Sequence, residues 1–109
     1  MKFKPLLPSL KEKKRYLIFE IIGIKCSLEK IKIVILLNLH DFVGEYGLGL
    51  MGIIFLDDWQ NNRGIIRVNN KYVDLLKASF VKIDKIDKER VIVKSVKTSG
   101  ILKKARSYL

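Results

Sequence analysis

The 109 residues predict an α+β fold: a four-stranded antiparallel sheet with two helices on one face, followed by a short basic helix. The first observation behind this is an alternation of periods. Runs that alternate apolar and polar residues are separated by two runs with helical spacing, in the order strand, helix, strand, strand, helix, strand. The second is composition, because 49% hydrophobic residues in a chain of this length can build one core but not two. The third is where the charge lies. Residues 1–15 carry a net charge of +5 and residues 94–109 another +5, whereas the 78 residues between them hold eleven bases against ten acids. A balanced fold is therefore flanked by two basic ends.

Residues 1–12, MKFKPLLPSLKE, contain both prolines and are expected to form an extended basic arm, leaving residues 13–109 as a single domain. In KKRYLIFEII, which begins at Lys13, Tyr16, Ile18 and Glu20 alternate with Leu17, Phe19 and Ile21, giving a strand with one fully apolar face that Gly23 ends. Ser27 is a good N-cap for a helix starting at Leu28, with Glu29 in the first turn where the helix dipole favours an acid. Leu28, Ile31, Ile35, Leu39 and Phe42 repeat at helical spacing, and Gly44 is placed to terminate the helix. Val34, Leu36 and Leu37 make this helix apolar on more than one side, which implies burial both in its own core and against a partner.

Gly47, Gly49 and Gly52 then spell G-x-G-x-x-G. A dinucleotide-binding loop needs a strand before this motif and a helix after it, and here the order is reversed, so that assignment is rejected. Residues 51–56 read as a strand, 57–62 as a connection and 64–68 as the hairpin partner. Asn69 or Asn70 caps a second helix over residues 71–83, with Tyr72, Leu76 and Phe80 on one face and Val73 beside them. A polar turn over 84–89 leads to a last strand over 90–96, a Thr98-Ser99-Gly100 corner and the terminal basic helix. This succession is the ferredoxin-like, or split β-α-β, plan.

The net charge of +11 and a pI near 9.9 favour an anionic partner. Cys26 is the only cysteine, which excludes an internal disulfide and fits a reducing compartment. No secretory leader is recognised, and Lys32, His40, Asp41 and Glu45 interrupt the apolar stretch 31–56, so a cytoplasmic protein with no membrane partner is expected. Nothing is spaced to make the lone His40 catalytic or Cys26 a metal ligand. Asp57 and Asp58 would point to opposite faces of a strand and read as turn acids rather than a metal pair. Neither a catalytic residue nor a bound metal or cofactor is expected.

The positive charge is more informative. Lys94, Lys97, Lys103, Lys104 and Arg106 surround a helix start with no acid among them, an arrangement that seeks phosphate. Arg63 and Arg67, flanking the GII strand, are secondary candidates because guanidinium suits bidentate phosphate contact. An RNA-recognition domain of this topology stacks bases on aromatics of its open sheet face. That face would here show Tyr16 and Ile18 beside Ile65 and Arg67, and a single aromatic does not support a stacking sheet.

Four segments in order, PSLKEKKRYLIFEI, FVGEYG, RGIIRVNNKYVDLLKASF and VKTSGILKKA, are similar to the archaeal ribonuclease P protein component 2 family, the small Pop five type subunit. The likeness spans nearly the whole chain and departs at Val68, where the family pattern GILRC has a cysteine. The resemblance implies a non-catalytic subunit of the ribonucleoprotein endoribonuclease that removes the 5′ leader of precursor tRNA, with magnesium at the catalytic RNA. It further implies binding to the catalytic domain of that RNA and to a TIM-barrel partner, protein component 3, in a two-plus-two assembly alongside other ribonuclease P proteins. Carried onto the matching positions, it implies RNA contact by Lys13, Lys14, Arg15, Tyr16, Ser99, Gly100, Lys103 and Lys104, with backbone N–H groups of Ser99 and Gly100 at the helix start. Charge adds Lys97 and Arg106. The FVGEYG segment implies a partner surface at Phe42, Tyr46 and Leu48.

A generic RNA-binding or ribosomal protein of ferredoxin-like fold explains the charge equally well, and the ordered segments separate it from the first reading. A ligand-binding regulatory domain would need a second domain to act on, and a self-sufficient nuclease would need an acid cluster.

Overall fold

The structure, a computed structural model, describes residues 13–109, so the arm expected over residues 1–12 lies outside the described residues. Strand β1 (Lys14–Ile22) is followed by helix α1 (Leu28–Met51), strands β2 (Ile54–Gln60) and β3 (Arg63–Asn69), a 3₁₀ turn (Asn70–Tyr72) and helix α2 (Val73–Phe80). A two-residue ribbon of β4 (Lys85–Ile86) and β5 (Glu89–Arg90) leads into β6 (Ile92–Ser99) and helix α3 (Leu102–Arg106). The main sheet has the order β2-β3-β1-β6 with every neighbour antiparallel, which is the predicted split β-α-β arrangement.

The alternation in β1 decides which residues meet which layer. Leu17, Phe19 and Ile21 face α1 and α2 and join Ile66, Val68 and Val93 with Ile31, Ile35 and Leu39 of α1 and Val73, Leu76 and Phe80 of α2. Phe19 is the aromatic centre, with ring centroids 5.9 Å from Trp59, 6.1 Å from Phe80 and 6.3 Å from Phe55. The opposite face is not open, contrary to the expectation for Tyr16, Ile18, Ile65 and Arg67. Ile18 and Ile65, paired directly across β1 and β3, are fully buried beneath Ala105 of α3, with Tyr16, Leu56, Val96, Leu102 and Leu109 around them. Apolar residues at Leu102, Ala105 and Leu109 give α3 and the turn after it one greasy side, and covering two isoleucines is where that side goes.

The start of α1 agrees with expectation and its end does not. Ser27 caps α1 as predicted, its Oγ accepting from Lys30 N–H at 3.2 Å. Gly44, however, does not end the helix. It sits at φ 75°, ψ 176° and kinks it, after which the helical path resumes to Met51 and stops at Gly52 in the left-handed conformation. Met51 belongs to this second segment because its side chain is fully buried in the main core, so β2 begins only at Ile54. α1 is long and apolar enough by length and composition to cross a membrane. Ile31, Ile35, Leu39 and Met51 nonetheless commit one side of it to the core.

Residues 57–60 belong to β2 rather than to a connection, since the strand runs past a register shift between Phe55 and Trp59. The turn is only Asn61-Asn62, both at positive φ, the pairing demanded by a tight two-residue hairpin. Asn62 then ties the β1–α1 loop down, donating to the carbonyls of Ile21 and Ile24 and accepting from Cys26 N–H. Asn69 precedes the 3₁₀ turn but does not cap it with its side chain. It is fully buried and spans two elements instead, donating to Leu50 O at 2.8 Å and accepting from the Lys14 ammonium.

Candidate nucleic-acid interface

The starting end of β1 and the finishing end of β6 lie side by side because the strands pair antiparallel, Tyr16 opposite Ser99 and Ile18 opposite Lys97. That register brings basic residues more than 80 positions apart in sequence to one corner of the sheet. Where β6 ends, the Ser99-Gly100 corner turns the chain back across the sheet as α3. Ser99 Oγ accepts from Ile101 N–H at 3.1 Å, which fixes the corner and occupies that N–H. The first turn of α3 itself receives no side-chain cap, and the groove beside it is lined by side chains of β1, β6 and α3.

A cavity of about 720 Å³ opens there, lined by Arg15, Lys97, Thr98, Ser99, Gly100, Ile101, Lys104, Ser107 and Tyr108. No acid is among these residues, whereas three cations are, and Lys97 and Lys104 are both exposed. Arg15 Nη1 donates to the carbonyl of Lys14 at 3.2 Å and lies against Gly100; a Cβ there would stand 3.2 Å from that nitrogen. Gly100 thus leaves room for a guanidinium at the floor of the groove. Three cations with no acid beside them among the described residues, set around a concavity, raise the local concentration of anions and suit successive phosphates of a nucleic-acid strand.

The remaining candidates separate into those near the groove and those held elsewhere. Lys13 and Lys103 are exposed but do not line it, and Lys14 reaches inward to Asn69. Tyr16 packs against the small core beneath α3. Arg63 is held by Glu20 at 3.4 Å and by the carbonyl of Tyr108 at 2.6 Å, and Arg106 donates to Asp58 at 3.0 Å. Both arginines therefore brace α3 and the turn after it against the sheet. Arg67 lies in the ladder opposite Tyr16 and Ile54, with a buried Nε that has no hydrogen-bond partner. Thr98, Ile101, Ser107 and Tyr108 also line the groove, although none of them is a contact candidate by charge or by resemblance. Ser107 and Tyr108 follow Lys104 by three and four positions, a spacing that would have placed them beside it.

His40 is exposed on α1, and among the described residues no group of three or more His, Cys, Asp or Glu side chains converges to hold a metal. Cys26 is half-buried, and desolvation pushes its thiol pKa up, with a smaller opposing pull from Lys30. Its main-chain carbonyl accepts from Trp59 Nε1 at 3.0 Å, which places it in the scaffold. On the helical side, Tyr46 is 81% exposed and Phe42 is partly shielded by the Lys82 ammonium 5.3 Å from its ring centre. Leu48 packs against the main core. Ile33 and Leu37, one turn apart on α1, are 58% and 64% exposed and extend the apolar surface beyond the FVGEYG segment.

A profile of the Rpp14/Pop5 family matches residues 15–109. Similar sequences include ribonuclease P protein component 2 of Pyrococcus abyssi, 30% identical over 97% of this chain and 92% of that protein. The protein of the same name from Methanococcus vannielii is 31% identical over 94% of this chain and 79% of its own length. That from Pyrococcus horikoshii is 27% identical over 96% and 89%. Among solved structures, a chain in the cryo-EM structure of yeast ribonuclease MRP superposes with a TM-score of 0.68 at 16% identity, covering 89% of this chain and 86% of that one, which supports the fold.

Proposed function

The chain belongs to the Rpp14/Pop5 family, and from that membership we propose that it is a protein subunit of ribonuclease P that binds the enzyme's RNA through the Arg15–Lys97–Lys104 groove. The observation that carries this reading is a groove whose lining, among the described residues, holds three cations and no acid, assembled from the two ends of the chain's charge distribution. Cations held there neutralise crowded phosphates and replace part of the diffuse ion atmosphere that a folded RNA otherwise requires. The chain's task in this reading is to support the RNA that cuts the 5′ leader from precursor tRNA, while contributing no reacting group.

The outer side of α1, with Ile33, Leu37 and Tyr46 exposed, is the surface we assign to the companion protein, component 3, in a two-plus-two assembly. It lies on the helical layer, across the sheet from α3, so one chain can hold RNA and protein at once. The reading is tested by precursor-tRNA cleavage with an archaeal ribonuclease P RNA and component 3 at moderate magnesium, with and without this chain. Restored cleavage at the leader junction, with no cutting by the chain alone, is the expected result. RNA binding with no change in cleavage would replace it with a generic RNA-binding role.

A further inference from the structure

We propose that the groove contains a base-stacking subsite at Tyr108 that selects an unpaired nucleotide, the neighbouring phosphates being held by Arg15, Lys97 and Lys104. The inference rests on the RNA-binding reading of the groove and deepens it. A platform for a base needs an aromatic ring with a free surface, a fixed position and cations within one nucleotide's reach, and these conditions meet at one residue.

Tyr108 lines the groove and is 37% exposed, so part of its surface is unclaimed by the fold. Its main chain is held from both sides: the N–H donates to Ala105 O at 3.1 Å, and the carbonyl accepts from Arg63 Nη1 at 2.6 Å. Arg63 is itself braced by Glu20, and Leu109, the next residue, packs into the small core under α3. With the main chain already held, a base that settles on the ring has only the side chain of Tyr108 left to order. Lys104 lies one turn earlier and lines the same groove, and Arg15 and Lys97 face it from β1 and β6. A cavity of about 720 Å³ falls within the range of about 300–1,000 Å³ typical of small-ligand sites and can admit one nucleotide.

The ligand class follows from the chemistry. Bases inside a duplex are already stacked on both sides and cannot offer a face to a side chain, so a ring in a cationic groove reads single-stranded loops, bulges or joints. Such a subsite also relocates base recognition. The sheet face that carries it in RNA-recognition domains is here filled by Ile18, Ile65 and α3, and the aromatic is supplied from the turn beyond α3.

The test uses the full chain and a single-stranded RNA oligonucleotide carrying one 2-aminopurine, with the same sequence as a blunt duplex for comparison. Wild-type protein is expected to quench the 2-aminopurine and to prefer the single strand. Tyr108→Ala should abolish the quenching and lower affinity by about tenfold with an unchanged salt slope, and Tyr108→Phe should restore both. Lys104→Ala, measured in parallel, should keep the quenching at saturation but flatten the salt slope. Equal affinity for duplex and single strand, or a Tyr108→Ala protein that binds and quenches like wild type while Lys104→Ala is weakened, overturns the stacking subsite and leaves a phosphate groove. Failure of both substitutions to change binding removes the groove itself from the RNA interface.

Discussion

At single positions, the structure sorts residues that look alike in sequence. Lys103 and Lys104 are adjacent exposed lysines, yet only Lys104 lines the groove. Lys104→Ala is therefore expected to reduce the slope of log affinity against log salt by about one unit, and Lys103→Ala by markedly less. Titrations of RNA binding at several salt concentrations check this, and equal effects would mean that α3 is read as a charged rod rather than through the groove. Gly100→Ala should weaken RNA binding while leaving thermal stability nearly unchanged, because the added methyl meets the movable end of Arg15. Asn69 is the converse case. Its fully buried amide joins Leu50 O to Lys14, and Asn69→Ala leaves that carbonyl without its partner, a loss of about 1–3 kcal/mol. For a domain of this size that corresponds to a drop in melting temperature of roughly 5–20 °C, readable by calorimetry.

Among the elements, α1 and α3 depart furthest from simple periodicity. A glycine inside a regular helix normally gains about 1 kcal/mol on replacement by alanine. Gly44 at φ 75°, ψ 176° lies in a region that essentially only glycine occupies, where strain costs about 1–3 kcal/mol. Gly44→Ala is thus predicted to destabilise the protein, and a rise in stability would show that α1 runs straight. For α3 the decisive residue is Ala105, fully buried over Ile18 and Ile65. Ala105→Glu should undock the helix and expose both isoleucines, at about 1.5–3 kcal/mol for each side chain. RNA affinity should fall with it, because Lys104 and Tyr108 leave the groove together. A variant that melts early but binds RNA normally would separate α3 from the interface.

For the molecule as a whole, the order of elements, the sheet and the helical layer were legible because the patterns behind them are local. Leu17, Phe19 and Ile21 alternate, Ile31, Ile35 and Leu39 recur, and Ser27 offers a cap. What sequence reasoning missed depends on contacts between distant segments. Gly44 carries the same stop signal whether the chain leaves or resumes the helix, and the burial of Met51 in the main core makes it resume. The sheet face looked open because α3 is too short to announce an amphipathic stripe; its role appears only with Ala105 lying over Ile18 and Ile65. Of the basic residues, charge alone could not tell Arg63 and Arg106, spent on Glu20 and Asp58, from Arg15, Lys97 and Lys104, which face no acid across the groove among the described residues. That division comes from the β1–β6 register, which joins the two basic ends of the sequence at one corner.

The measurement that bears most directly on this account is the affinity of the full-length chain for ribonuclease P RNA, from low to moderate salt, with Arg15, Lys97 and Lys104 all replaced by glutamine. The expected result is a folded protein with an unchanged melting temperature, a salt slope flatter by about two to three units and loss of its support for leader cleavage. An unchanged slope and undiminished cleavage in the folded triple variant would contradict it and place the RNA elsewhere on the chain.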